Sequence, residues 1–169
     1  DAMFSYALML EHGKGIEVNL KEAAKYYKMS ADKGNADAMN NIALLLFNGN
    51  GIECNKQEAV RYFKMAADNG NVNSMYCYAE INKAGEIVEQ DYKVSARYFK
   101  MAADNGHVDA MIKYGLTLEY GYGVEVNNKE AARYLKMAAD TGHADAMFFY
   151  ASNLEEGDGI AVNKKEAAR

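Results

Sequence analysis

Four glycine pairs, Gly13/Gly15, Gly49/Gly51, Gly121/Gly123 and Gly157/Gly159, have the spacing of loops whose backbone amides cradle a phosphate. A nucleotide site also needs a strand ahead of the loop and a third glycine leading into a helix, and these segments have neither. Four copies at one spacing specify a turn instead. The three histidines, His12, His107 and His143, lack a helical i, i+4 partner, and Cys54 and Cys77 lack zinc spacing. No Ser/His/Asp or Cys/His set has local support. The 24 Asp and Glu recur at cap and solvated positions rather than as an isolated pair for acid–base work. A basic series, Lys25/Lys28, Arg61/Lys64, Arg97/Lys100 and Arg133/Lys136, has the spacing to meet an acidic partner. Neighbours of the Glu22/Lys25 and Lys28/Asp32 kind favour a solvated, self-paired helix face. The chemistry expected is therefore recognition, with no catalytic residues, no metal, no cofactor and no small-molecule substrate.

Composition agrees. The chain has 169 residues, 50% hydrophobic and 25% charged, with a formal net charge of −5. It is too polar for a membrane span, so direct membrane insertion is not expected. Its acidity gives no electrostatic case for nucleic acid as a partner. With 14 Gly, no Pro and no Trp it is neither collagen-like nor Pro-rich and disordered. Two Cys cannot build a disulfide framework, so packing must hold the fold.

The elements that would position a binding surface follow from a repeat. Asp1-Ala2-Met3 recurs as Asp37-Ala38-Met39, Asn73-Ser74-Met75, Asp109-Ala110-Met111 and Asp145-Ala146-Met147, each step being 36 residues. Lys25-Tyr26-Tyr27-Lys28-Met29 recurs on the same clock at 61–65, 97–101 and 133–137. Each copy reads as two helices. In the first, Met3, Tyr6, Ala7 and Leu10 form an i, i+3, i+4, i+7 apolar stripe, and Gly13 and its copies Gly49, Gly85, Gly121 and Gly157 end it. The second opens on a capping-box spacing, Asn19 with Glu22, Asn55 with Glu58, Asn127 with Glu130 and Asn163 with Glu166. Ala23, Tyr27 and Ser30 then make its buried stripe, and Gly34, Gly70, Gly106 and Gly142 end it. Asn35, Asn71, His107 and His143 are the expected N-caps of the following first helices. Nine of ten Met fall at just two repeat positions, the Met3 series read as core filling. Two short helices cannot bury both apolar faces alone, whereas stacked copies can. The chain is thus expected to be one array, with repeats 1–36, 37–72, 73–108, 109–144 and a partial 145–169. It lacks polar capping repeats, so a fragment of a longer protein is expected.

The pattern Asp109-Ala110-Met111, Tyr114-Gly115, Leu118, Gly121-Tyr122-Gly123-Val124, Asn127, Glu130-Ala131-Ala132-Arg133-Tyr134, Met137-Ala138-Ala139 resembles the Sel1-like repeat family, relatives of the tetratricopeptide repeats. The resemblance covers the whole chain. It implies an all-α, right-handed α/α superhelical solenoid of helix-turn-helix repeats whose first helices line a concave face. It also implies a protein-interaction scaffold or adaptor, or alternatively a regulatory or targeting region of a larger enzyme or ubiquitin-ligase complex. The loop proline common in the family is missing here, as is the Cys pair carried in each repeat of the cysteine-rich bacterial branch.

The positions that vary between copies are the informative ones. Repeat positions 1, 4, 8, 11 and 12, which the resemblance places on the concave side, sum to −8 over the five copies against −5 for the whole chain. The partner-binding residues expected there are Phe4, Leu8 and Glu11; Asn40, Leu44 and Phe47; Tyr76, Glu80 and Lys83; Ile112, Leu116, Glu119 and Tyr120; and Phe148 and Glu155. Acidic groups interleaved with Phe, Tyr and Leu suit a protein or peptide carrying apolar and basic residues. The third copy departs most, with Asn82 for the core Leu, Ile87 for the second loop Gly and Val94 for the capping Glu. The absence of an Asn-x-Ser/Thr sequon and two free Cys lean towards a reducing, cytoplasmic compartment.

Overall fold

Each copy contributes two helices: glycine stops the first and, in the first four copies, a side-chain cap starts the second. The computed structural model describes residues 1–157 and 159–167, without the side chains of Lys165 and Glu166. The expected Asn163/Glu166 capping pair therefore lies outside the described residues. The helices are α1 (Ala2–His12), α2 (Leu20–Ala31), α3 (Ala36–Asn48), α4 (Lys56–Asp68), α5 (Val72–Ala84), α6 (Tyr92–Asp104), α7 (Val108–Tyr120), α8 (Asn128–Ala139), α9 (Ala144–Glu156) and α10 (Lys164–Ala167). They fall into two compact units, Asp1–Glu89 with α1–α5 and Gln90–Arg169 with α6–α10. The division lies inside the third copy. In the first unit each helix packs on the next, α1 on α2 through α4 on α5; in the second, α6 packs on α7 and so on to α10.

The caps explain the length of each helix. Glu22 N–H donates to Asn19 Oδ1 at 3.0 Å, Glu58 N–H to Asn55 Oδ1 at 3.0 Å and Glu130 N–H to Asn127 Oδ1 at 3.1 Å. The reciprocal half of a capping box has nothing to satisfy, since the cap residue's own N–H is already used. Asn19, Asn55 and Asn127 donate it to the carbonyls of Leu10, Leu46 and Leu118 at 2.9 Å. That bond ties the end of each first helix to the start of the second. In the third copy Asp91 supplies the cap, accepting from Lys93 and Val94 N–H at 2.9 Å, so the loss of Glu at Val94 costs nothing. Asn35 and Asn71 cap α3 and α5 at 2.8 Å, and His107 caps α7 through Nδ1 at 3.3 Å. His143 stands at the N-cap of α9 as expected but makes no side-chain cap hydrogen bond. Its Nε2 is instead held 3.3 Å from Asp109 Oδ1.

Burial follows the stripes. Ala23, Tyr27, Ala59, Phe63, Phe99, Ala131 and Leu135 are all 2% exposed or less. Of the methionines, Met39, Met75 and Met111 are buried and Met3 is half-buried, but Met147 of the same series is 49% exposed, contrary to expectation, and Met29, Met65 and Met137 lie on the surface. Asn82 is buried in place of the core Leu and donates Nδ2 to the Tyr78 carbonyl at 2.7 Å, the partner a buried amide needs.

Two tyrosines bury their rings and keep a polar tip occupied. Tyr27 donates its hydroxyl to Glu11, and Tyr134 donates to Asp104 at 2.6 Å. Burial first, then the neighbouring carboxylate, pushes both hydroxyls above the ordinary tyrosine range; burial does the same to Tyr114. A raised folded pKa means stability that is complete below the unfolded value of about 10 and is lost as pH rises through the folded one. The urea midpoint is therefore expected to be insensitive to these groups from neutrality to about pH 10 and to fall steeply above it. Tyr27→Phe should blunt the alkaline fall; a midpoint as steep as wild type in that variant contradicts the assignment.

Candidate partner-binding surface

The outer face of the second helices is charged and self-paired. Lys64–Asp68 and Lys100–Asp104 meet at 2.6 Å and Lys136–Asp140 at 2.9 Å, each one helical turn apart. Arg133 reaches Glu130 at 2.7 Å, and Lys28 lies 3.8 Å from Glu58. Asp104 resists burial of its charge through the hydrogen bonds from Lys100 and Tyr134, which hold its carboxyl below the usual value. Two depressions open here between α2 and α4, of about 410 and 390 Å³. Charged side chains, Lys21, Lys25, Lys28, Arg61, Glu58 and Asp32, ring both depressions around Tyr62, with Met65 in one and Ile42, Leu46 and Ile52 in the other. This is the solvated face its i, i+4 charges specify.

The first helices carry a different surface. In the first unit Leu44 and Phe47 of α3, Tyr76, Cys77, Glu80 and Ile81 of α5, and Phe63 of α4 line a groove of about 300 Å³. Its walls are almost wholly carbon, with Glu80 as the charged group. Leu44 is 40% exposed, and Phe47 rests edge-on against the buried Phe63 ring at 6.2 Å. Lys56 Nζ sits 5.4 Å from the centroid of Phe47 at the rim. Burial, then the Glu80 charge, pushes the Cys77 thiol above its ordinary value, leaving it a poor nucleophile. Nothing in this groove activates water or a carbonyl. What it offers is an apolar slot beside one carboxylate.

Four of the fifteen expected residues, Leu44, Phe47, Tyr76 and Glu80, come together in that groove. Phe4 and Leu8 are half-buried and pack against the core of the first unit, and Lys83 is half-buried beyond the groove. Glu11 is engaged by Tyr27. Asn40 is buried, accepting from Ser74 Oγ at 2.9 Å. In the second unit Ile112 is buried, Leu116 and Glu119 are half-buried, and Tyr120, Phe148 and Glu155 are exposed. Sequence reasoning missed Phe63, Cys77 and Ile81. The i, i+4 pair Cys77/Ile81, one residue beyond Tyr76/Glu80, was the available signal.

Among the described residues no group of three or more His, Cys, Asp or Glu side chains is placed to hold a metal ion. Nor is any described helix long and apolar enough to cross a membrane.

The repeat can be set beside known proteins. A comparison with curated protein sequences finds no match. Among solved structures the chain is similar to a protective antigen of uropathogenic Escherichia coli that displays an SLR fold. Identity there is 25% and the TM-score 0.92, over 98% of this chain and 36% of that one. It is similar to a Sel1 repeat protein from Oxalobacter formigenes at 27% identity and TM-score 0.92, over 99% of this chain and 69% of the other. The Helicobacter pylori cysteine rich protein B aligns at 25% identity and TM-score 0.60, over 76% of this chain and 92% of its own. The chain thus spans about a third of the first of these proteins. The family model of the Sel1 repeat matches five times in succession, over residues 1–35, 36–71, 72–107, 108–143 and 144–169. With the helix pairs, the caps and an all-helical solenoid fold shared at that TM-score, the chain belongs to the Sel1 repeat family.

Proposed function

We propose that this chain is a non-catalytic docking scaffold that seats an apolar side chain of a protein segment in the α3/α5 groove, with a Lys or Arg of the same segment against Glu80. Sel1 repeat proteins are in general scaffolds for protein interactions. The groove supports the reading most: a carbon-lined slot of about 300 Å³ in which residues of α3 and α5 that differ from copy to copy surround the core ring of Phe63. Residues that repeat, such as Tyr27, Phe63, Phe99 and Leu135, serve the core, which leaves the varying ones free to specify a partner. The charge balance argues for a polypeptide and against nucleic acid, whose phosphates the net −5 repels.

Selection of displayed peptides on the folded chain tests this. Leu44→Glu places a charge in the slot at a position already 40% exposed, so the fold survives. Peptides with an apolar anchor next to a basic residue are expected, and Leu44→Glu should weaken their binding by about 1–3 kcal/mol, read by calorimetry. Peptides that bind both proteins equally would place the site elsewhere.

A further inference from the structure

Three tyrosines meet on the surface of the second unit. Tyr92, the first residue of α6, stacks on Tyr122 of the following loop with centroids 5.4 Å apart and planes at 24°. Tyr120, at the end of α7, lies 5.8 Å from Tyr122. All three are open to solvent, Tyr120 by 60%. Glu119 and then, more weakly, Glu156 hold the Tyr120 hydroxyl above its ordinary range, so both carboxylates act on this patch.

The turn does not require these rings. At the equivalent junction two copies earlier the three positions are Leu20, Asn48 and Asn50, and one copy earlier they are Lys56, Ala84 and Glu86. Yet the loop glycines keep one conformation, φ being +67° and +78° at Gly13/Gly15, +70° and +75° at Gly49/Gly51, and +72° and +75° at Gly121/Gly123. Other junctions bring the same positions together, Gly51 against Leu20 for instance, but only where the third copy meets the fourth are all three tyrosine among the described residues. The platform is also fixed, because the Gly123 backbone presses against the carbonyl of Tyr92. Exposed electron-rich ring faces with carboxylates beside them attract a planar cation, which stacks on the ring and forks to the carboxylate.

We propose that Tyr92, Tyr120 and Tyr122 form a binding site for an arginine side chain of a protein partner, with Glu119 and Glu156 supplying the counter-charge. The site lies in the second unit and does not depend on the α3/α5 groove.

The probes are capped hexa-arginine and hexa-lysine peptides, titrated into the folded chain at low salt while tyrosine ring protons are followed by NMR. Hexa-arginine is expected to shift the Tyr120 and Tyr122 rings and to bind about threefold or more tighter than hexa-lysine. Tyr120→Ala/Tyr122→Ala, checked for an unchanged melting transition, should weaken the arginine peptide about tenfold. Tyr120→Phe/Tyr122→Phe keeps the ring faces and should stay within about twofold of wild type. Equal binding by the wild type and the alanine variant would mean attraction to net charge alone and overturn the proposal, as would equal affinity for the lysine peptide. So would concentration-dependent self-association that the alanine pair abolishes, since the occupant would then be a second copy. In Leu44→Glu, hexa-arginine should still shift the Tyr120 and Tyr122 rings as in wild type, which separates failure here from failure of the groove.

Discussion

Gly123→Ala is expected to destabilise the protein by about 3 kcal/mol, lowering its thermal midpoint by roughly 6–12 °C. Gly123 has φ of +75°, where an L side chain is strained by about 1–2 kcal/mol. The larger cost is steric. A Cβ there would stand 2.3 Å from the Tyr92 carbonyl carbon and 2.4 Å from its oxygen. Both are backbone atoms at the start of a helix and cannot swing away, so the loop must lift off α6. Gly142→Ala is the control: its φ is +89° but a Cβ there meets nothing within 4 Å, so only the backbone strain should be felt. Equal losses from the two variants, measured by urea and thermal unfolding, would contradict the close approach as the cause.

The second large effect belongs to the aromatic position of the second helices. Phe99 is fully buried in α6, so Phe99→Ala removes a ring from a packed interior and is expected to cost about 3–5 kcal/mol. Phe99→Leu should cost much less, because the fourth copy already carries Leu135 at that position, also fully buried. There the helices have closed up: a Cβ added to Gly115, which stands where other copies have Ala7, Ala43 and Ala79, would come 2.9 Å from Leu135 Cγ. The ring and the alanine methyl are thus given up together in the fourth copy, a trade of side-chain volume for closer helix approach. Chemical unfolding read by circular dichroism decides it, and a loss under about 1 kcal/mol for Phe99→Ala would contradict a packed core there.

That trade shows what the sequence could and could not tell. The period, the two helices, their glycine stops and their Asn caps were legible because each rests on local chemistry repeated at a fixed spacing. Depth was not. Asn40, Tyr76, Ile112 and Phe148 share one repeat position, yet Asn40 and Ile112 are buried while Phe148 is 71% exposed. A helical register fixes which way a residue faces, but its neighbours decide how far it is covered. Asn40 lies on α3, between α2 and α4, and takes a hydrogen bond from Ser74 of α5. Phe148 lies on α9, which packs on α8 and the short α10. The groove was half legible for the same reason. Its α3 and α5 rims follow the predicted offset, whereas Phe63 rises into it from the core of α4, which only the packing reveals. The tyrosine cluster joins residues from a helix start, a helix end and a loop, and no single-helix pattern groups them.

The docking claim is tested most directly by the two thiols. Cys77 lines the groove and Cys54 lies outside its lining, on the loop after α3. The rate of alkylation of each, followed by mass spectrometry at mildly alkaline pH with and without a selected binding peptide, reports where the peptide sits. Bound peptide is expected to slow Cys77 far more than Cys54. Unchanged Cys77 reactivity at saturating peptide would contradict docking in the α3/α5 groove.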